Sequence, residues 1–420
     1  MATGPLIVQA LKDLCIRAVS SNFEHSPTFG KLPDASCKRV VDGLALDLPL
    51  ELVGTLIADE DYWQRRATAR WRNCDTAVHG RSWKQLYFER NLQEALEQFD
   101  QGTGDLLALR RLMTYSRRFA RNIRVRQLPS RLDPQVFFDA MVNAPASLCL
   151  AYGSKGVGLD YDRSLFGMQL GDCRCLARAL AQTEALVHLD LSNNSLDDDK
   201  TLMLASGLAN NISVVHLDLS HNKARGRPAR PAAAAIADRG ARALARVLDA
   251  SCPLAVLDMS DNQLLSESGR ALGRALRASR GLVSLDLRLN RLGDDGCKAL
   301  LDALRSGSSS GGGGGCAPLE RLGLAANGAG PAAGAALAAA LRCSRTLSQV
   351  DASGNALGAA AGAPLAAAVR ESAALVALDV RRCGIGGDHE EAITEELLAR
   401  AERRARAGPG GGALGASGGL

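Results

Sequence analysis

Large aromatic side chains are scarce in this chain of 420 residues, since only 4% of its residues are Phe, Trp or Tyr. All three tryptophans, Trp63, Trp71 and Trp83, lie in the first hundred residues. Such a change of composition along the chain indicates two domains. We expect an all-helical N-terminal domain over residues 1–145, with helices in LPLELVGTLI, DYWQRRATARW and SWKQLYFERNLQEALEQF.

Sequence features of several other protein classes are missing as well. There is no run of about 18 apolar residues, so a membrane span is not expected, and the N-terminus lacks the pattern of a signal peptide. The 11 cysteines include no C-x-x-C pair, which favours a reducing intracellular compartment. A net charge of +5 does not by itself indicate nucleic-acid binding.

What the chain does contain is a repeat of the form L-x-x-L-x-L-x-x-N-x-L. The seven copies begin at Leu186, Val214, Leu254, Leu282, Leu319, Leu347 and Leu375, and four of the six spacings are 28 residues. This period is typical of a leucine-rich repeat solenoid, an α/β fold that presents a long binding surface. We predict the ribonuclease-inhibitor-like subclass over residues 146–398, with an irregular first part at 147–185, because 28 residues leave room for a helix in each repeat.

One asparagine recurs at the end of each predicted strand. Its side-chain amide can satisfy backbone groups that the neighbouring repeat leaves unpaired. The position is occupied by Asn194, Asn222, Asn262, Asn290, Asn327 and Asn355, and by Cys383 in the last repeat.

An acidic column runs beside the leucines, and alternation along a strand places it on the concave face. It consists of Asp190, Asp218, Asp258, Asp286, Asp351 and Asp379, with Gly323 at this position in the fifth repeat. The column is either a docking stripe for a basic partner or a consensus feature whose carboxylates bond to nearby backbone and side chains. The candidate protein-binding face comprises His188, Asp190, His216, Asp218, Asp258, Asp286, Arg288, Asp351, Asp379 and Arg381.

Motifs for chemistry are lacking, because neither G-x-x-x-x-G-K-[ST] nor H-E-x-x-H occurs. His188 and His216 occupy equivalent positions in adjacent repeats, but a zinc site needs three or four convergent ligands. We therefore expect no enzyme activity, no cofactor and no metal site.

A basic segment precedes the repeats at residues 110–131. It contains no acidic residue and eight arginines, which are Arg110, Arg111, Arg117, Arg118, Arg121, Arg124, Arg126 and Arg131. Apolar residues are interleaved, so the segment is amphipathic. It either attaches the chain to an acidic partner such as the tubulin surface, or it is a solvated helix face whose arginine stems cover the core.

The segment 147–180 is more specific than the repeats. Its distinctive residues are Tyr152, Gly153, Lys155, Gly158, Phe166, Gly167, Met168, Asp172 and Cys173. Together with the helical N-terminus and the repeats, it resembles the family of nexin–dynein regulatory complex subunit 5, also called the t-complex-associated testis-expressed 1 family. The resemblance implies a non-catalytic scaffold of the ciliary or flagellar axoneme that links adjacent doublet microtubules. Its implied partners are other subunits of that complex, doublet microtubules or inner dynein arms, without nucleic acid or membrane.

The alternative function comes from residues 46–90, which look like an F-box. F-box proteins with leucine-rich repeats are substrate adaptors of cullin ubiquitin ligases. The residues that would contact the ligase adaptor are Leu48, Pro49, Glu51, Leu52, Trp71, Trp83 and Leu86.

Low-complexity sequence interrupts or ends the solenoid in three places. The insertions are 224–235 and 306–315, of which the second is expected to be a flexible loop. Residues 399–420 are predicted to form a basic and then Gly/Ala-rich disordered tail.

Overall fold

The computed structural model describes most of the chain. The described residues are 10–100, 103–128, 132, 134–141, 143–153, 166–222, 235–248, 251–306 and 318–407. The chain divides into two compact units, one formed by residues 1–124 with 139–147 and the other by 125–138 with 148–420. The sequence-based boundary at residue 145 stays a prediction.

The first unit is built mainly from helices. These are α1 (Leu11–Ser21), α2 (Asp34–Asp42), α3 (Leu50–Leu56), α4 (Glu60–Arg70), α5 (Trp83–Gln98) and α6 (Leu106–Ser116), with a 3-10 helix at Ala77–His79. The three helices expected from the sequence correspond to α3, α4 and α5. The acidic residues between α3 and α4 start a helix, because the Asp59 carboxylate accepts the Tyr62 N–H at 3.1 Å and so caps α4.

The core of this unit contains the aromatic residues that the repeats lack. Trp63 and Phe88 are fully buried with ring centroids 5.4 Å apart. Arg66 is buried among them, and its guanidinium donates to the Leu48 carbonyl at 2.6 Å and to the Tyr62 hydroxyl at 3.2 Å. Burying this charge is tolerable because it is hydrogen-bonded and lies 4.9 Å from the Tyr87 ring centroid.

The repeats form one sheet whose strands follow each other in chain order. The strands are β1 (Asn122–Leu128), β2 (Ser147–Tyr152), β3 (His188–Asp190), β4 (His216–Asp218), β5 (Val256–Asp258), β6 (Ser284–Asp286), β7 (Arg321–Gly323), β8 (Gln349–Asp351) and β9 (Ala377–Asp379). The helices that alternate with them are α7 (Pro134–Ala140), α8 (Leu170–Leu180), α9 (Asp198–Leu208), α10 (Asp238–Val247), α11 (Ser266–Ala278), α12 (Gly293–Ser306), α13 (Pro331–Cys343), α14 (Gly362–Glu371) and α15 (Gly387–Ala407), with a 3-10 helix at Ala359–Ala361.

The predicted leucine-rich repeat fold is confirmed. The seven repeats give the parallel strands β3 to β9. The central residues of β3 to β8, such as Leu189 and Leu217, are buried. From α8 to α15 the helices pack in chain order, each on the next. Small residues permit this close approach, because a Cβ at Gly207 of α9 would lie 2.3 Å from the Ala177 carbonyl oxygen of α8.

Three expectations need correction or fall outside the described residues. The part before residue 146 is not all-helical, since it contains β1, and β2 starts a strand–helix unit before the first predicted repeat. Residues 399–407 belong to α15 and are not part of a disordered tail, because Arg400 donates to the Ser372 carbonyl at 2.5 Å and so binds α15 to α14. Residues 223–234, 307–317 and 408–420 lie outside the described residues.

The recurring asparagine performs the predicted role. Asn222 is fully buried, and its side-chain carbonyl accepts the N–H groups of Asn194 at 2.9 Å and Leu196 at 3.1 Å. Its amide donates to the Leu191 carbonyl at 3.2 Å and the Leu219 carbonyl at 2.8 Å. Asn290 and Asn355 complete the hydrogen bonds of the preceding repeat in the same way, whereas Asn262 contacts that repeat through its amide, which donates to the Leu219 carbonyl at 3.0 Å. In the last repeat the Cys383 thiol donates to the Ala352 carbonyl at 3.1 Å.

The irregular segment before the first repeat fits closely against this asparagine column. Gly167 has φ +85°, and a Cβ there would lie 2.6 Å from the Asn194 carbonyl oxygen, so glycine is required. The next residue, Met168, is fully buried and donates its N–H to the same carbonyl at 2.9 Å. Asp172 closes a capping box with Gln169 at the start of α8. Lys155 and Gly158 lie outside the described residues.

Candidate protein-binding surfaces

The acidic column lies in register on the solvent-exposed face of the sheet. Asp190 pairs with Asp218, Asp218 with Asp258 and Asp258 with Asp286, while Gly323 separates Asp286 from Asp351. These aspartates are half-buried, whereas the leucines beside them are buried. The predicted alignment of the aspartates in one column is seen in the structure; its place on a concave face and its role in binding stay predictions.

Every aspartate of the column makes the same local bond. One carboxylate oxygen accepts the N–H of the residue two positions later, as Asp218 does from Ser220 at 2.8 Å and Asp258 from Ser260 at 2.8 Å. The same bond occurs at Asp190, Asp286, Asp351 and Asp379. This bond fixes the turn that ends each strand. It gives the column a structural role whether or not a partner binds there.

The two halves of the column differ in charge compensation. On β6 to β9, Arg288 forms an ion pair with Asp286 at 2.6 Å and Arg381 forms one with Asp379 at 2.5 Å. The hydrogen bond from Arg381 lowers the pKa of Asp379. On β3 to β5 no arginine or lysine of the described residues forms an ion pair with the aspartates, so negative charge is concentrated there.

Gly323 has a spatial reason that the sequence pattern does not reveal. A Cβ at this position would lie 2.5 Å from Asp286 Oδ1 and 3.1 Å from Arg288 Cγ. The missing side chain thus leaves room for Arg288, whose Nη1 also comes within 3.9 Å of Asp351 Oδ2. The Arg288 side chain therefore passes over Gly323 and lies close to the aspartates of both β6 and β8.

The uncompensated half also carries two histidines. The rings of His188 and His216 are edge to face with centroids 5.7 Å apart, as their equivalent positions predicted. Burial, and then the neighbouring His188 and Arg321, lower the pKa of His216. Burial is also the largest cause of the raised pKa of Asp258, to which Asp286 and Asp218 add. Within the described residues, no group of three or more His, Cys, Asp or Glu side chains is placed to hold a metal ion.

The arginines at 110–131 do not share a helix. Arg110 and Arg111 lie on α6, Arg117 and Arg118 in the turn after it, and the rest of the segment enters β1. The helical interpretation fails from Asn122 onwards, because Ile123 and Val125 are buried and alternate with exposed arginines, which is the period of a strand. Arg124 and Arg126 are exposed on β1, and Arg131 lies outside the described residues.

A buried carboxylate that could not be recognised from the sequence binds the backbone of the turn between α6 and β1. Glu89 on α5 is 2% exposed, and its Oε1 accepts the N–H groups of Arg121 at 2.7 Å and Asn122 at 2.6 Å. Its other oxygen lies 2.5 Å from His79 Nδ1. These bonds fix the backbone at Arg121 and Asn122, where the basic segment enters β1.

The arginines themselves are uncompensated. Within the first unit the basic patch consists of Arg110, Arg111, Arg117, Arg118, Arg121 and Arg124, all of which are exposed. None of these six forms an ion pair with any residue that the structure describes. The Arg121 guanidinium donates to the Ala144 carbonyl at 3.3 Å, which is a neutral partner. An uncompensated patch of this kind suits an acidic partner.

The residues of the F-box-like region mostly serve the unit's own core. Leu48 and Leu86 are buried in it, and Leu52, Trp71 and Trp83 pack against it. The Trp71 indole N–H also donates to Glu94 at 2.5 Å. Five of the seven predicted contact residues therefore lie in or against the core of this unit, whereas Pro49 and Glu51 are exposed.

Comparison with known proteins finds one matching family model and a curated protein that is similar to about half of the chain. A family model described as Leucine Rich repeat matches residues 279–301. A curated protein of Chlamydomonas reinhardtii named dynein regulatory complex subunit 5 is 63% identical over 200 residues, which cover 48% of this chain and 51% of that protein. Over about half of its length this chain is similar to dynein regulatory complex subunit 5. The resemblance predicted from the sequence is confirmed.

Mammalian proteins named dynein regulatory complex subunit 5 are also similar to this chain. Those of Mus musculus and Homo sapiens are 31% and 30% identical over 225 residues, covering 47% of this chain and 45% of each relative. The matches span about half the length of the curated relatives. The F-box alternative finds no support among them.

A solved structure, the C-terminal domain of a Caenorhabditis elegans tropomodulin, aligns with 57% of this chain and 98% of that domain. Its TM-score of 0.26 and 12% identity are too low to support an argument. Across the described residues, no helix combines the length and apolar character that a membrane crossing requires.

Proposed function

We propose that this chain is a non-catalytic scaffold subunit of an axonemal dynein regulatory complex. In that role it helps to link adjacent doublet microtubules and to regulate dynein-driven motility of cilia or flagella. The 63% identity over 200 residues to the Chlamydomonas subunit carries this proposal. The repeat sheet supports it, because a solenoid offers a long surface to several partners at once.

Two surfaces are proposed to make the attachments. The basic patch of the first unit binds an acidic partner, such as the surface of a doublet microtubule or an acidic segment of another subunit. The solvent-exposed face of β3 to β5 binds a basic segment of a neighbouring subunit or an inner dynein arm, since its aspartates lack ion-pair partners among the described residues.

The test of the role is biochemical fractionation of flagella. An epitope-tagged chain should stay with axonemes after detergent extraction and should be lost from axonemes that lack the regulatory complex. Deleting it should impair motility without removing the flagella. Recovery in the detergent-soluble fraction, together with normal motility of the deletion strain, would refute the role.

The basic patch has a test of its own. Replacing Arg117, Arg118, Arg121 and Arg124 with glutamate should abolish rebinding to axonemes that lack the chain, and rebinding of the native protein should weaken steeply with added salt. The matched control reverses Arg242, Arg246, Arg274 and Arg277, which are exposed on α10 and α11 and form no ion pair with described residues. Equal loss in both variants would show that net charge, and not this patch, governs binding.

A further inference from the structure

The last strand of the sheet, β9, has a free edge whose pairing pattern is set by the earlier repeats. The Ala352 N–H donates to the Asp379 carbonyl at 2.8 Å, and the Ser348 carbonyl accepts the N–H groups of Val376 at 2.7 Å and Ala377 at 3.0 Å. Equivalent bonds join every pair of strands from β3 to β9. On β9 itself, the corresponding N–H of Val380 and carbonyl of Val376 have no hydrogen-bond partner among the described residues.

Apolar surface is exposed beside this edge. Leu378 is only half-buried, although Leu189, Leu217 and their other counterparts are buried. Val376 is 46% exposed, and Leu398 on α15 is 60% exposed. A groove of about 980 Å³ lies between side chains of β6 to β9 and the face of α15 that carries Leu398. Its shape and apolar floor suit an added strand.

The charge of the residues that line the groove indicates which kind of segment could bind there. Its lining contains six carboxylates and three arginines, and Arg288 and Arg381 are already paired with aspartates. Glu390, Glu391 and Glu395 on α15 form no ion pair with any described residue. The groove therefore favours a segment with positive charge. Residues 408–420 of this chain contain no lysine or arginine and do not fit.

We propose that the free edge of β9 binds an extended segment of another protein, in which apolar residues alternate with lysine or arginine, as a tenth parallel strand. Its backbone accepts the Val380 N–H and donates to the Val376 carbonyl. Its apolar side chains cover Leu378 and Leu398, and the negative charge of the groove, to which Glu391 and Glu395 contribute, attracts its basic side chains. This surface shares no residue with the basic patch or with the face of β3 to β5.

A peptide-binding measurement on the full chain tests the proposal. The probe is a short fluorescein-labelled peptide of alternating valine and lysine, followed by fluorescence anisotropy, with a valine–glutamate peptide as its opposite. The first peptide should bind and should slow amide hydrogen exchange in residues 376–382, and the second should not bind. Glu391→Lys with Glu395→Lys should weaken binding about tenfold or more, because attraction at two sites becomes repulsion.

The matched control is Glu24→Lys with Glu51→Lys, two exposed positions of the first unit that change net charge equally. It should alter affinity by less than about twofold. Equal weakening in both variants, binding without slower exchange in 376–382, or no binding of the valine–lysine peptide would each overturn the proposal. Self-association in sedimentation that Glu391→Lys with Glu395→Lys abolishes would assign the edge to a second copy of the chain and overturn it as well.

Discussion

Replacing Asn222 with alanine tests the asparagine column directly. In the native chain the Asn222 side chain is the hydrogen-bond partner of the Asn194 and Leu196 N–H groups and of the Leu191 carbonyl, and all lie in the interior. The alanine variant removes these partners, yet leaves the backbone fold of the turn unchanged. The energy cost therefore comes from polar groups that lose hydrogen bonds without gaining water.

The expected loss of stability is about 3–6 kcal/mol, since each of three buried groups left unpaired costs roughly 1–3 kcal/mol and partial access of water reduces the sum. Asn222→Cys should lose about 1 kcal/mol less, because a thiol can donate to the Leu191 carbonyl as Cys383 does to Ala352. Asn210→Ala, the same change at an exposed position, should cost less than about 0.5 kcal/mol.

Urea unfolding followed by far-UV circular dichroism measures these differences, with amide exchange at Asn194 and Leu196 as a local reading. Tryptophan fluorescence follows the first unit separately, because all three tryptophans lie there. If Asn222→Ala loses no more stability than Asn210→Ala, or if exchange at the two amides is unchanged, the asparagine column does not stabilise the repeats and the reasoning is wrong.

Two further changes probe the acidic column. Because the pKa of Asp258 is raised and that of Asp379 lowered, ionising Asp258 opposes folding and ionising Asp379 favours it. Asp258→Asn should therefore gain stability relative to the native chain as pH rises through the aspartate range, whereas Asp379→Asn should lose it; equal pH profiles in urea titrations would contradict this. Gly323→Asp, which restores the repeat consensus, should lower the melting temperature and cost about 1–3 kcal/mol, since its Cβ would meet Asp286; an unchanged or higher value would show that the column accepts a seventh aspartate.

The repeats could be predicted because every unit has nearly the same pattern of buried and exposed residues. A buried leucine, an exposed aspartate and a buried asparagine recur at fixed offsets, so one correctly assigned copy fixes the others. Asn222 illustrates this, since its partners follow from the period of 28 residues that separates it from Asn194.

Features that depend on distant contacts could not be predicted in the same way. The strand β1 was missed because its arginines suggested a charged helix, although the alternation of Ile123 and Val125 with Arg124 and Arg126 was a usable signal. Neither the bonds from Glu89 to the backbone at residues 121–122 nor the reach of Arg288 across Gly323 leaves a signal in local sequence. Both join residues more than thirty positions apart.

The asparagine column also sets the order in which the hydrogen bonds of neighbouring repeats can form during synthesis. Asn222 accepts the N–H groups of Asn194 and Leu196 in the repeat before it, and Asn290 does the same for Asn262 and Leu264, so these buried N–H groups lack their partner until the following asparagine has been synthesised. The turn of such a repeat is therefore completed only after the next repeat has been synthesised. A chain truncated between the two would leave these buried N–H groups unpaired. In the repeat of β9 this position is occupied by Cys383, whose thiol donates to the Ala352 carbonyl in the repeat before it.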